Sequence, residues 1–167
     1  MYRFSLYLLL LLACVLSGVG CGYHFSSTSP ITIPRNQSRL YLSRVDNPTQ
    51  QGWLSPYVRS TLRDELARRG QVSWVDRDQA ETLVRVEVRD FSSSDSVKAE
   101  EDKSVKFSAR ITLRVLMSNA TDGSPLWNSG WVSGSESFYA EGEKRTAGQK
   151  AVDEALRRAA DGLGKQF

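Results

Sequence analysis

Between residues 106 and 117 the chain reads Lys-Phe-Ser-Ala-Arg-Ile-Thr-Leu-Arg-Val-Leu-Met, and this stretch decides the fold. Phe107, Ala109, Ile111, Leu113, Val115 and Met117 alternate with Lys106, Ser108, Arg110, Thr112 and Arg114. A period of two sends successive side chains to opposite faces, so these residues predict a long strand with one apolar and one polar face. Upstream, Thr82, Val84, Val86 and Val88 alternate in the same way with Leu83, Arg85, Glu87 and Arg89, which predicts a second half-buried strand. Downstream, Thr121-Asp122-Gly123 supplies a hairpin turn and residues 126–138 return as a last strand. The segment 92–104 between the two central strands is serine-rich and then mixed in charge, with no apolar period, and is expected to be a mobile polar loop.

Two shorter strands precede these. Leu40, Leu42 and Val45 mark the first, closed by Asp46-Asn47-Pro48, and residues 72–75 mark the second. Between them, residues 54–70 read as a helix: Ser55 as N-cap, Pro56 at the first helical position and Gly70 as the stop. Val58, Leu62 and Leu66 form its buried stripe, with Arg59, Arg63, Arg68 and Arg69 on the solvated side. From about Thr146 a second helix carries Val152, Leu156, Ala159 and Leu163 on one stripe, with Arg157 and Arg158 off it. The expectation is an α+β domain, two helices packed on one face of a single mixed, largely antiparallel sheet of four or five strands. No internal repeat is present.

The N-terminus carries different information. Arg3 precedes an apolar run from Phe4 to Leu16, followed by small residues and Cys21. The run is shorter than the ~20 residues a membrane span needs, and its pattern is that of a signal peptide over residues 1–20. A cysteine after a small residue at such a site is the acceptor of bacterial lipoproteins, so Cys21 is the expected lipid anchor. Cys14, in Leu-Ala-Cys, is the rival site, but cleavage there would leave residues 15–20 as an apolar tail without a role. Residues 21–38, rich in Ser, Thr and Pro, read as lipidated N-terminus and tether, and 39–167 as a single domain. Cleavage before Cys21 leaves 167 − 20 = 147 residues and lowers the formal charge from +3 to +2, which gives no field that calls for nucleic acid. Both cysteines lie in or at the end of the export segment, so the domain has no disulfide framework.

Catalytic motifs are missing. The one histidine, His24, lies three residues from Cys21, and there is no Gly-x-Ser-x-Gly, Cys-x-x-Cys, His-Glu-x-x-His or glycine-rich phosphate loop. Gly130-Trp131-Val132-Ser133-Gly134 only approximates a nucleophile elbow, and Asp76 with Asp78 in a turn lacks the further ligands a metal requires. The expectation is a non-enzymatic protein with no cofactor and no metal. Of Trp53, Trp74, Trp127, Trp131 and Tyr139, most are expected in the core and some in a contact surface.

Cys21-Gly22-Tyr23-His24-Phe25 resembles the start of the lipopolysaccharide-assembly lipoproteins of the LptE family. The strand ending at Val45-Asp46-Asn47, the helix with Leu62, Leu66 and Gly70, and Arg158-Ala159-Ala160-Asp161-Gly162-Leu163 follow in the family's order. The resemblance implies a lipoprotein that plugs the lumen of the outer-membrane β-barrel LptD, supports its assembly and touches lipopolysaccharide in transit. Gly22 after Cys21, where an inner-membrane retention signal places aspartate, implies the outer membrane. Chain order suggests that Lys98, Lys103 and Lys106 converge with Lys144 and Arg145, ahead of the final helix, on an anionic lipopolysaccharide group. Lys98 and Lys144 align best with basic positions of the family. Two other classes stay open: an outer-membrane lipoprotein scaffolding a complex without lipopolysaccharide contact, and a periplasmic hydrolase.

Overall fold

The computed structural model describes residues 30–31, 33–97 and 106–164. Six strands form one mixed sheet in the order β2-β1-β3-β4-β5, with β6 also paired to β4. The strands are β1 (Arg39–Asp46), β2 (Ser73–Trp74), β3 (Thr82–Val97), β4 (Lys106–Asn119), β5 (Pro125–Asn128) and β6 (Val132–Phe138). β1 is parallel to β2 and β3, while β4 is antiparallel to β3, β5 and β6. Two helices, α1 (Leu54–Arg69) and α2 (Lys144–Leu163), complete the expected α+β architecture.

The alternation in β4 is realised in full from Ala109 onward: Ala109, Ile111, Leu113, Val115 and Met117 are buried, as are Val84, Val86 and Val88 of β3. Val58, Leu62 and Leu66 of α1 meet Val152, Leu156, Ala159 and Leu163 of α2 in the same core. Each such aliphatic side chain contributes about 1.5–3 kcal/mol on burial. β6 and α2 come closest at Gly134, where a Cβ would stand 1.9 Å from the carbonyl oxygen of Ala151. Only a residue without a side chain allows that approach.

Three elements differ from expectation. β3 runs on through residues 92–97, paired from Ser92↔Arg110 to Val97↔Lys106. These residues lack an apolar period, yet β4 offers backbone partners to all of them but Ser96, where the register shifts. The polar connection is therefore shorter than 92–104. The expected last strand is split into β5 and β6, which share one edge of β4, by a bend in which Gly130 has φ +66°. That division brings the count to six rather than four or five. α1 starts at Leu54 instead of Pro56, because Leu54 is fully buried and its N–H reaches the Gln51 carbonyl at 3.1 Å. Ser55 is thus inside the first turn, where Pro56 costs nothing because those N–H groups lack intrahelical partners.

Order also reaches further toward the N-terminus than Arg39. Ile31 is buried, and its N–H donates to the Arg69 carbonyl at 3.0 Å. The same end of α1 holds a buried ion-pair cluster. Arg69 pairs with Glu65 on its own helix, Nη2 to Oε1 2.6 Å, and with Asp161 of α2. Arg69 was expected on the solvated side, but it reaches across to α2 and is closed off there. The helices run in the same direction, since Trp53 at the start of α1 lies beside Gly148 near the start of α2.

Candidate functional site

The start of β4, the end of β6 and the first turn of α2 occupy one end of the domain. Phe107↔Phe138 pairing fixes this, and the two rings stack with centroids 5.2 Å apart. After β6 a short turn at Glu141–Glu143 leads directly into α2 at Lys144. Lys144 and Arg145 are consequently the first residues of the helix and not ahead of it. Lys106, exposed, opens β4 at the same end. The topology thus brings Lys106, Lys144 and Arg145 to one end, as chain order suggested. Cys21, Lys98 and Lys103 lie outside the described residues.

Aromatic side chains from other elements complete the site. Trp53 packs edge-on against Phe91 of β3 at 5.7 Å and against Tyr57 at 6.0 Å. The Arg145 guanidinium carbon lies 5.8 Å from the Trp53 ring centroid, a cation–π arrangement. Beneath the rings is Gly148, where a Cβ would stand 3.0 Å from Phe91 and 3.1 Å from Trp53. This glycine, in the second turn of α2, therefore makes room for the aromatic pair. A cleft of about 320 Å³ opens between Gln51, Trp53, Phe91, Glu141, Lys144 and Arg145.

The charges at this end are unequally committed. Lys144 Nζ donates to Glu141 Oε1 at 3.2 Å. Glu143 Oε2 accepts the Tyr139 N–H at 3.1 Å, so this carboxylate is turned to the backbone. Among the described residues Arg145 has no ion pair, and its guanidinium remains exposed. The positive end of the α2 dipole adds to the cationic field there. Tyr57 is held above its ordinary pKa by burial and by its bond to Asp153 Oδ1 at 3.0 Å, which keeps the phenol a neutral donor under the aromatic cluster. Such a site offers guanidinium and ammonium donors to an anionic oxygen and ring faces to apolar or sugar surfaces.

Trp53 and Phe91 were not picked out as site residues by sequence reasoning, because neither neighbours Arg145 in the chain. Gly148, inside an otherwise regular helical pattern, was the available signal of a close approach. Among the aromatic residues, Trp127 is core, Trp53 and Trp74 are half-buried, and Trp131 and Tyr139 are exposed. Among the described residues no group of three or more His, Cys, Asp or Glu side chains gathers as a metal site.

Comparison with known proteins places this fold. A search of curated proteins gave no match. A minor lipoprotein from Acinetobacter baumannii is 8% identical and superposes with a TM-score of 0.52 over 81% of this chain and 94% of that one. Uncharacterized lipoprotein B from Nitrosomonas europaea is 12% identical, with a TM-score of 0.51 over 81% of this chain and 84% of that one. The hypothetical protein CT253 from Chlamydia trachomatis is 10% identical, with a TM-score of 0.50 over 78% and 99%. At these identities the likeness is one of fold. The family model for LptE, lipopolysaccharide-assembly, matches residues 38–167, the whole of the sheet and both helices. The chain belongs to the LptE family.

Proposed function

We propose that this chain is a non-enzymatic outer-membrane lipoprotein, held by acyl chains on Cys21, that plugs and helps assemble an LptD-like β-barrel and touches lipopolysaccharide in transit. The carrying observation is the LptE match over residues 38–167. No described helix is long and apolar enough to cross a membrane. Two or three acyl chains on Cys21 would attach such a domain firmly, at about 0.8 kcal/mol per buried CH₂.

Within this reading the basic and aromatic end meets lipopolysaccharide. Arg145 is the leading contact because it has no carboxylate partner among the described residues. Lys144 follows, once Glu141 releases it, with Lys106 beside them and Lys98 and Lys103, outside the described residues, as further candidates from the sequence. Charge-assisted bonds to phosphate oxygens are the strong ones, and the rings of Trp53 and Phe91 would line the approach.

Co-purification in mild detergent tests the partnership: a band of large-barrel size and retained lipopolysaccharide are expected with the full-length chain. In the Lys144→Glu/Arg145→Glu double variant the barrel should persist while retained lipopolysaccharide falls at least tenfold. A variant that keeps its lipopolysaccharide removes this end as the contact. Metabolic acyl labelling that survives Cys21→Ala but is lost in Cys14→Ala would move the anchor.

A further inference from the structure

Both helices cover one face of the sheet. On the open face the arginines are matched by carboxylates: Arg44 and Arg85 pair with Asp46, and Arg114 Nη2 meets Glu87 Oε2 at 2.6 Å. Arg59 and Arg63, one turn apart on the exposed side of α1, have no ion pair among the described residues. Like charges four residues apart on a helix repel. Both nevertheless line one cleft of about 340 Å³ between α1 and the edge of the sheet, together with Tyr41, Trp74, Asp76 and Gln79.

The walls of this cleft are fixed. The Trp74 indole N–H donates to the Arg63 carbonyl at 3.2 Å, and the Arg63 guanidinium carbon lies 5.3 Å from the Trp74 ring centroid. β2 pairs with β1 only at Arg39 and Leu40, which leaves the Leu42 carbonyl to Arg59 Nη1 at 3.3 Å. That bond uses one of the five N–H donors of the guanidinium. The Asp76 carboxylate on the rim has no bonded partner among the described residues. Two uncommitted guanidiniums, one uncommitted carboxylate and two aromatic rings thus share one opening. A simple anion would be repelled by Asp76, and a simple cation by the arginines. A zwitterion satisfies all three charges.

We propose that this cleft binds a zwitterionic aminoalkyl phosphodiester, the headgroup of phosphatidylethanolamine. Its phosphate oxygens meet Arg59 and Arg63, and its ammonium meets Asp76 and the rings of Tyr41 and Trp74. Guanidinium forks match phosphate oxygens, and aromatic faces attract an ammonium. A second, more open depression bounded by Pro56, Ala67 and Trp74 meets the cleft at the same two arginines and offers the glycerol an apolar surface. The N-terminal segment docks on the same helix: the Ile31 N–H is bonded to the Arg69 carbonyl, six residues or about 9 Å beyond Arg63. Cys21 precedes Ile31 by 31 − 21 = 10 residues, at most about 36 Å of extended chain, so an acylated Cys21 keeps the cleft within reach of the bilayer. The bilayer as source rests on the Cys21 anchor proposed above, whereas the chemistry of the cleft does not.

The test titrates the full-length chain, in a maltoside detergent that carries no phosphate, with glycerophosphoethanolamine, glycerophosphoglycerol and inorganic phosphate at millimolar concentration. Calorimetry should show glycerophosphoethanolamine binding at least tenfold more tightly than the other two. Arg59→Gln/Arg63→Gln should lose that binding with thermal unfolding unchanged, since both side chains are exposed. Asp76→Asn should bind glycerophosphoethanolamine and glycerophosphoglycerol alike. Native mass spectrometry should show phosphatidylethanolamine retained by the wild type and absent from the double variant. Neither headgroup binding nor retained lipid in the wild type overturns the proposal, and so does binding that survives the double variant. Headgroup binding without retained lipid overturns the bilayer as source and leaves a site for a soluble phosphodiester. Binding that persists while metabolic labelling finds no acyl chain on Cys21 overturns the anchor and leaves the cleft assignment standing.

Discussion

Arg69 near the end of α1 is 1% exposed and paired with both Glu65 and Asp161, whereas Arg145 at the start of α2 is exposed and meets the ring of Trp53. The two guanidiniums sit at opposite ends of one helical layer. At the first end, every charge is matched, and the N–H of the buried Ile31, ahead of the first strand, donates to the carbonyl of Arg69 itself. At the second, Lys144 has one exposed partner and Arg145 none among the described residues, while aromatic rings replace carboxylates. A buried cation is tolerated only when it is paired. An exposed one left unpaired costs little and stays available to an outside anion. The contrast separates charge that holds the domain together from charge that is free to bind.

The largest effect breaks the sheet on which both ends hang. Ile111 is fully buried in mid-β4 and Arg110 is exposed beside it. Ile111→Asp should abolish cooperative thermal unfolding, because it buries an unpaired carboxylate. Arg110→Asp should stay within about 0.5 kcal/mol of wild type, the ordinary range for a surface substitution. Equal melting of the two variants would mean that β4 faces the other way, since a slip of one residue exchanges its faces.

A smaller effect addresses the contrast directly. Arg69→Met takes the buried cation from Glu65 and Asp161, leaving Glu65 only the largely exposed Arg68, and should cost up to about 3–5 kcal/mol in urea unfolding. Arg145→Met should cost less than about 0.5 kcal/mol. The double variant Glu65→Leu/Arg69→Met should recover much of the loss, because apolar replacement of a whole buried pair is often neutral. If Arg145→Met proved as damaging as Arg69→Met, the basic end would be structural and the separation of roles would fail.

How legible these features were follows from how local their causes are. The alternation of β4 and of residues 82–88 reads directly, because one buried face repeats every two residues. Residues 92–97 do not, since their strand conformation is imposed by the partners Ala109, Ser108 and Phe107 and not by their own polarity. Lys106, Lys144 and Arg145 could be gathered at one end from strand order alone. Trp53 and Phe91 could not, because their contact joins residues 38 positions apart through the packing of α1 on the sheet. Arg69 was read as solvated for its charge, although it stands three residues after Leu66 and seven after Leu62, on the buried side of the helix. The neighbouring helix, 92 residues away at Asp161, supplies the partner that lets a cation occupy that position.

The smallest expected effect lies on the open face, where the ion pairs are partly exposed. Asp46 loses solvent, which raises its pKa, but bonds and charges from Arg85 and Arg44 outweigh this and hold it below its ordinary value near 3.8. Glu81 is likewise held below its ordinary 4.5, first by the backbone N–H of Arg39 and then by that residue's guanidinium. Both groups bind their protons less tightly in the folded chain than in the unfolded one. Their stabilisation is therefore present above about pH 4.5, and it fades as the pH falls through the depressed folded values. Side chains about a quarter exposed are screened, so each contributes under about 1 kcal/mol. Urea midpoints taken from pH 7 down to pH 3 should fall for wild type and fall less steeply for Asp46→Asn, with salt narrowing the difference. An Asp46→Asn profile as steep as wild type would show that the acid loss arises elsewhere.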